Sequence, residues 1–424
     1  MASSTLSSLF STTLPIPPSC IEFVPGCREW CVVGTYFLEK GSEEEEKEGG
    51  QKRSGSLVLL RLEGQEGQGE GERRVTIAAT SPTPFAIFDL HFSPHHIASS
   101  TQSSTTAPHL LGLASSTGSI ALYAIDPSAA TSSAQITHLR TLQLFPPTDL
   151  LTYFSWHPTV PLLAAAALAD GRVVLSGGSK RRKRTLTLLA HALEGWVTAF
   201  APDGSALYSG GDDAALKGVG LPEEHMFSPP WHWQDARTHG AGVTFILPLP
   251  LPQPALPSPS TTPSLPSPLL LTGSYDESLR LLAPPPPFGP RRVRELADVP
   301  LEGGVWRVSV VDGPTVKSRA EEGHGERGEA VVVKVQWTLL VSCMHAGTRV
   351  VRLTGSLTAS AAAGEEGGKA ESEWNWAFEV LARFEEHQSM NYASAVQPPQ
   401  AREKKRTVIS TSFYDRLVAV WEWS

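Results

Sequence analysis

The sequence predicts an all-β chain folded as one seven-bladed β-propeller. Three observations predict it: a hairpin pattern that recurs along the chain, a composition rich in turn residues, and a last repeat that stops one strand short. Of 424 residues, 36 are Gly and 35 are Pro, while only 18% are charged. That balance suits many short strands joined by turns and works against long helices. Hydrophobic residues, at 41%, suffice for a core.

Each hairpin reads as a strand ending in small residues, an Asp or Gly turn, and a second strand of period two. Copies run through residues 114–123, 169–175, 209–216, 272–281, 343–351 and 412–421. A degenerate copy opens the chain, with residues 30–36 and 56–62 as its strands and an acidic run at 43–48 between them. Seven hairpins, about 40 to 70 residues apart, match the four-stranded blades of a WD-repeat β-propeller with long loop insertions. The low-complexity segments near 40–55, 247–268, 283–292, 311–330 and 355–373 read as those loops, within a single domain spanning 1–424.

A short strand precedes each hairpin and is placed on the central channel, as at 88–92, 153–158, 196–200 and 305–308. The chain stops at Ser424 directly after Trp421-Glu422-Trp423, so the last blade lacks an outer strand. Residues 7–14 are expected to supply it, which removes two exposed sheet edges.

A net charge of -8 argues against a chain built to bind nucleic-acid backbone. The first residues lack the basic start and apolar run of a signal peptide, and no run approaches the roughly 20 apolar residues of a membrane span. A cytoplasmic protein with neither nucleic-acid nor membrane partners is expected. Cys20, Cys27, Cys31 and Cys343 show no paired spacing and no nearby His, so neither a metal site nor a disulfide framework is expected. The basic run at 180–184 resembles a nuclear localisation signal, the one feature that points to a nuclear scaffold, but it falls between two strand patterns and reads as a solvated blade turn.

No nucleophile elbow, P-loop, zinc-protease helix or dinucleotide fingerprint occurs, and motif logic alone gives a binding scaffold. Four histidines stand out. His191 and His239 precede inner strands, where a His commonly hydrogen-bonds the turn Asp of its blade; Asp212, Asp213 and Asp276 are the available partners. His345 and His387 fit that slot less well and are the candidates for chemistry. Cys343 lies two residues from His345, on one face if the segment is extended, and reads as a buried thiol or a nucleophile. Trp306, Tyr275, Tyr414 and Trp376 suit a blade core. If several converged at one channel mouth, their π faces would hold a cation.

More specific strings run in order along the chain: Gly34-Thr35-Tyr36, Leu111-Gly112-Leu113-Ala114, Tyr208-Ser209-Gly210-Gly211-Asp212-Asp213 and Thr272-Gly273-Ser274-Tyr275-Asp276-Glu277. Gly303-Gly304-Val305-Trp306-Arg307, Cys343-Met344-His345-Ala346-Gly347, Ser412-Phe413-Tyr414-Asp415 and Trp421-Glu422-Trp423 follow. Together, from about Cys20 onward, they resemble the diphthine methyl ester hydrolase family, the WD-repeat proteins of diphthamide biosynthesis. The resemblance implies hydrolysis of the methyl ester of methylated diphthine, a modified histidine on translation elongation factor 2, without a cofactor. It implies elongation factor 2 as partner, with other diphthamide-pathway proteins as further partners; a non-catalytic scaffold presenting the factor to those enzymes is the alternative. A trimethylammonium group suits an aromatic receptor, and a methyl ester needs a general base and oxyanion donors. On residue type and position, His345 or His387 is the candidate base, with Asp276 and Asp415 as orienting carboxylates. Tyr275, Trp306, Arg307, Tyr414 and His239 are the candidate substrate-binding residues. The chain departs from the family after His387, where Tyr392 is followed by Ala393-Ser394-Ala395 in place of a Tyr-Gly-x-Asp string.

Overall fold

Small residues and one left-handed turn residue fold each strand back on the next. β9 (His109–Ser115) and β10 (Ser119–Ile125) are joined by a turn in which Gly118 has φ +64°. The same left-handed conformation recurs at the matching place in each later blade, at Gly171 (+87°), Ala214 (+58°), Glu277 (+68°), Gly347 (+78°) and Arg416 (+58°). One backbone geometry therefore underlies turns of varied sequence, and glycine marks only some of them. This computed structural model describes residues 3–39, 52–64, 73–95, 108–129, 135–177, 184–221, 230–250, 268–287, 292–321, 330–360, 374–400 and 405–424.

Seven sheets result, and every named element among the described residues is a strand. The innermost strands are β3 (Pro18–Phe23), β8 (Ile87–Phe92), β12 (Leu151–Trp156), β16 (Gly195–Phe200), β20 (Val243–Leu249), β24 (Arg307–Glu321) and β28 (Ala393–Val396). They touch in that order around a channel, with β28 against β3 completing the circle. The sheets are blades 1 to 7 in the same order, and the fold is the expected seven-bladed propeller. β2 (Phe10–Thr13) pairs with β30 (Leu417–Trp423), Phe10 opposite Val420 and Thr13 opposite Leu417. The N-terminal segment thus supplies the outer strand of blade 7. A second N-terminal strand, β1 (Ser4–Leu6), lies parallel to β27 (Trp374–Phe384) as a fifth strand of blade 6, which the hairpin pattern does not announce.

The core is a set of apolar slabs between neighbouring blades. Leu14, Val33, Val58, Ile409 and Val420 join blade 7 to blade 1. Leu57, Leu59, Ile87 and Leu111 join blades 1 and 2, and Leu271, Leu281, Trp337 and Leu339 join blades 5 and 6. In blade 4 the indole of Trp233 occupies the space that a Cβ on Gly218 would take.

Two of the expected loops are corrected. Much of 311–330 continues β24 to Glu321 and begins β25 (Ala330–Ser342), paired from Arg307↔Ser342 out to Glu321↔Ala330. Residues 355–360 likewise extend β26 (Thr348–Ser360). The β-branched run from Val331 to Val335 favours strand despite its Gly- and Glu-rich flanks. Gly313 and Pro314 fall at a register shift between Asp312 and Thr315, where a residue without an N–H breaks no ladder bond. Most of 40–55, 247–268 and 361–373, part of 283–292, and the basic run up to residue 183 lie outside the described residues.

Closure rests on a small apolar contact. Leu14, 2% exposed, packs where β2 leaves blade 7. Replacing it with Ala removes that burial and leaves a cavity, so chemical denaturation should show a loss of about 2–5 kcal/mol. A midpoint unchanged from wild type would show that the Leu14 side chain contributes nothing to closure.

Candidate functional site

The turns within hairpins and the entries to inner strands lie on one face, and aromatic side chains gather there at the channel mouth. Tyr36 follows β4 (Trp30–Thr35), Phe88 and Trp196 sit near the starts of β8 and β16, and Trp306 and Tyr392 immediately precede β24 and β28. Tyr275 lies in the turn between β21 (Leu269–Ser274) and β22 (Ser278–Ala283), and Phe413 and Tyr414 in the turn between β29 (Arg406–Thr411) and β30. Their rings form one chain of contacts. Phe88 meets Tyr36 at 5.3 Å and Tyr36 meets Phe413 at 6.0 Å; Phe413 meets Tyr392 at 5.4 Å, and Tyr392 meets Trp306 at 5.1 Å. Trp306 then lies 5.9 Å from Tyr275 and 5.8 Å from Trp196. The arc draws on blades 2, 1, 7, 6, 5 and 4. The Trp196 indole N–H donates to Asp212 at 3.0 Å, and burial, then the Asp212 charge, pushes the Tyr275 hydroxyl pKa up. Rings with a nearby carboxylate make a surface that attracts an organic cation.

Further along the inner strands the lining becomes charged. The Arg307 guanidinium stacks 4.9 Å from the rings of both Trp306 and Tyr153, and donates to the carbonyls of Trp306 (2.9 Å) and Thr244 (3.3 Å). Its other terminal nitrogen lies 3.8 Å from Asp89. Asp89 in turn lies 3.1 Å from His91 Nε2, and Glu22 lies 3.4 Å from His91 Nδ1. Burial lowers the His91 pKa, but Asp89, Tyr153 and Glu22 together outweigh it and hold the pKa well above the usual value. Aromatic mouth and charged channel are continuous through Arg307.

This architecture defines the class: a seven-bladed β-propeller with an aromatic channel mouth. A chain in the crystal structure of the mitotic checkpoint complex superposes with a TM-score of 0.54 at 12% identity, over 100% of this chain and 96% of that one, a likeness of fold alone. No protein-family model matches the sequence. In sequence, the chain is similar to the diphthine methyltransferase of Schizosaccharomyces pombe, 24% identical over 92% of this chain and 90% of that protein. It is also similar to the diphthine methyltransferases of Homo sapiens (28% identical over 40% of this chain, 28% of that protein) and Mus musculus (30% over 38% and 25%). These relatives bear out the resemblance to the WD-repeat proteins of diphthamide biosynthesis.

Of the residues singled out in the sequence, Tyr275, Trp306 and Arg307 come together at the mouth. Tyr414, 70% exposed, forms the outer end of the arc at 5.1 Å from Phe413. The others lie elsewhere. His387 is buried, with Nε2 2.8 Å from Ser410 Oγ, and the Trp421 indole N–H donates to the same hydroxyl at 2.9 Å. His239 is equally buried, 2.9 Å from Thr272 Oγ1. Both match His191, which bonds Ser209 (2.9 Å) and Asp213 (2.8 Å), so His387 occupies the slot it was expected to fit poorly. Asp415 accepts from the Gln388 amide and the Ser389 hydroxyl, and Asp276 from the Gly240 amide and Arg280. Each carboxylate ties a turn to the loop beside it and orients no catalytic His. His345 is exposed in its turn, with no hydrogen bond or ion pair to a described carboxylate. Cys343 is fully buried and burial pushes its thiol up to about 12, which leaves it inert. Trp376 packs in blade 6 against Trp337 and Trp374.

Sequence reasoning missed Glu22, Asp89, His91, Tyr392 and Phe413 as site residues. For two of them a signal existed. Asp89 and His91 stand two apart on a strand already assigned to the channel, which puts both on one face.

The buried relays predict an acid-sensitive fold. Burial lowers both His239 and His387 from 6.5 to about 4. Depressed histidines favour the neutral form when folded, so their contribution is complete above about pH 6.5 and is lost as pH falls toward 4. Each is worth roughly 3 kcal/mol at most. Denaturation midpoints should fall over that window, and less so in His387→Gln; a slope identical to wild type would count against this account.

Proposed function

We propose that this chain hydrolyses the methyl ester of methylated diphthine on translation elongation factor 2, a step in the formation of diphthamide. The observation that carries the reading is the aromatic arc at the channel mouth with Arg307 at its inner edge. Methylated diphthine presents a trimethylammonium group and a carboxyl ester on one side chain. The rings of Trp196, Tyr275, Trp306 and Tyr392 suit the first through cation–π attraction. Arg307 suits the second, as a donor to the ester carbonyl and to the oxyanion that forms when water attacks it. The relatives support the substrate, since their names place diphthine as what those proteins act on. Those names describe methyl transfer, whereas the ordered strings resemble a hydrolase; both reactions concern the methyl group of diphthine and differ in where it goes.

The test is incubation of the purified protein with elongation factor 2 carrying methylated diphthine, following both methanol and the mass of the factor. Loss of one methyl group with stoichiometric methanol is expected. Appearance of the methyl on an added acceptor without methanol would favour transfer instead, and tight binding with neither would favour a scaffold. Trp306→Ala should raise KM about tenfold or more, the scale of one desolvated cation–π contact, while Tyr275→Phe, which keeps its π face, should change it little. Equal KM values for wild type and Trp306→Ala would remove the mouth from the reading.

A further inference from the structure

His91 differs from the buried histidines His157, His191, His239 and His387, none of which has a carboxylate at both ring nitrogens. In blades 4, 5 and 7 the His Nε2 meets a Ser or Thr hydroxyl inside the blade. His91 instead has a carboxylate at each ring nitrogen, Asp89 at 3.1 Å and Glu22 at 3.4 Å. It also keeps 31% of its side chain exposed, as Glu22 keeps 35%, whereas Asp89 is buried at 4%. Such a group is connected to the mouth: the Tyr153 ring lies 5.3 Å from His91 and carries Arg307 on its other contact. The groups facing His91 are Asp89 of β8, Glu22 of β3, and Tyr153 and Phe154 of β12; Arg307 of β24 reaches the cluster through Asp89.

We propose that His91 and Glu22 are the catalytic acid–base pair of this channel and that Asp89 is the residue that positions His91. The proposal rests on the ester-hydrolase reading and names the groups that move its protons. As the water oxygen bonds to the ester carbonyl carbon, the Glu22 carboxylate takes a proton from that water, and Arg307 donates to the resulting oxyanion. The bond from carbon to the methoxy oxygen then breaks, and the departing oxygen takes the Nδ1 proton of His91. Glu22 returns its proton to Nδ1, and the product acid loses its own proton to solvent. Ester and water become carboxylate, methanol and one proton, with no oxidation or reduction. The raised pKa of His91 supplies the imidazolium at neutral pH.

The experiment is methanol release from methylated diphthine on elongation factor 2, across pH, by wild type, His91→Gln, Glu22→Gln and Asp89→Asn. Wild-type kcat should hold through neutral pH and fall as pH rises through the raised His91 pKa, because the acid form does the work. His91→Gln and Glu22→Gln should each lower kcat about 10²- to 10⁴-fold with KM nearly unchanged. Asp89→Asn removes a charge that raises the His91 pKa, so the alkaline fall should move to lower pH. A merely structural role would lower melting temperature without moving that limb. If His91→Gln fails to fold, Glu22→Gln carries the test, since its side chain is only half-buried and its amide can still accept from the Phe92 N–H. An active wild type with His91→Gln or Glu22→Gln turning over equally well would overturn this proposal alone. A wild type that releases no methanol would overturn the hydrolase reading and this one with it.

Discussion

A single blade of this protein has no interior. Each four-stranded sheet buries its faces only against the sheets on either side, so apolar surface such as Leu57, Ile87 and Leu111 is hidden only when a neighbour is present. The same need recurs around the ring until the last blade requires the first, and the circle has to close. The full arc depends on that closure, because it is built from one to three residues contributed by each of six blades. No blade carries more than a few of them, and none alone forms a surface.

The same residue types serve two ends, separated by their neighbours rather than by identity. A His beside a Ser or Thr hydroxyl in a dry blade, as at His239 and His387, is neutral and ties a loop to a strand. His91, set between two carboxylates at the channel wall, is driven the other way and carries charge. Aromatics divide similarly. Trp337 and Trp421 fill the slabs between blades, whereas Trp196 and Trp306 stay partly open at the mouth. Carboxylates divide too: Asp276 and Asp415 lock turns, and Asp89 faces the channel histidine.

How much of this was legible in the sequence follows from what is local. The hairpins were readable because a turn and its alternating strand sit within ten residues, and the closing strand because an unfinished last repeat implies a partner. The long arm of blade 6 was not, since Gly and Glu around 311–330 masked a β-branched run whose pairing partner lies elsewhere. Trp306, Arg307 and Tyr275 were legible as candidates through the family-like strings, although their convergence with Trp196 and Tyr392 was not. His387 was misplaced although its partner, Ser410, stands 23 residues away, within the 18 to 33 residues that separate the His191 and His239 pairs. His91 was overlooked because Glu22 reaches it from another blade, 69 residues back, and no spacing rule spans that gap.

The pairing of Phe10 with Val420 brings nearly the first and nearly the last residues of the chain together. During synthesis, blades can stack in order as they leave the ribosome, but the growing stack is an open arc with a raw sheet edge at each end. Only when the final strand emerges do β2 and β30 meet, and only then do Tyr36 of blade 1 and Phe413 of blade 7 come into contact. The contacts that join the two arms of the aromatic arc therefore form only with blade 7 in place. A chain halted after six blades would hold the Trp196, Tyr275 and Trp306 cluster but lack Tyr392 and Phe413, the rings that join it to Tyr36 on blade 1.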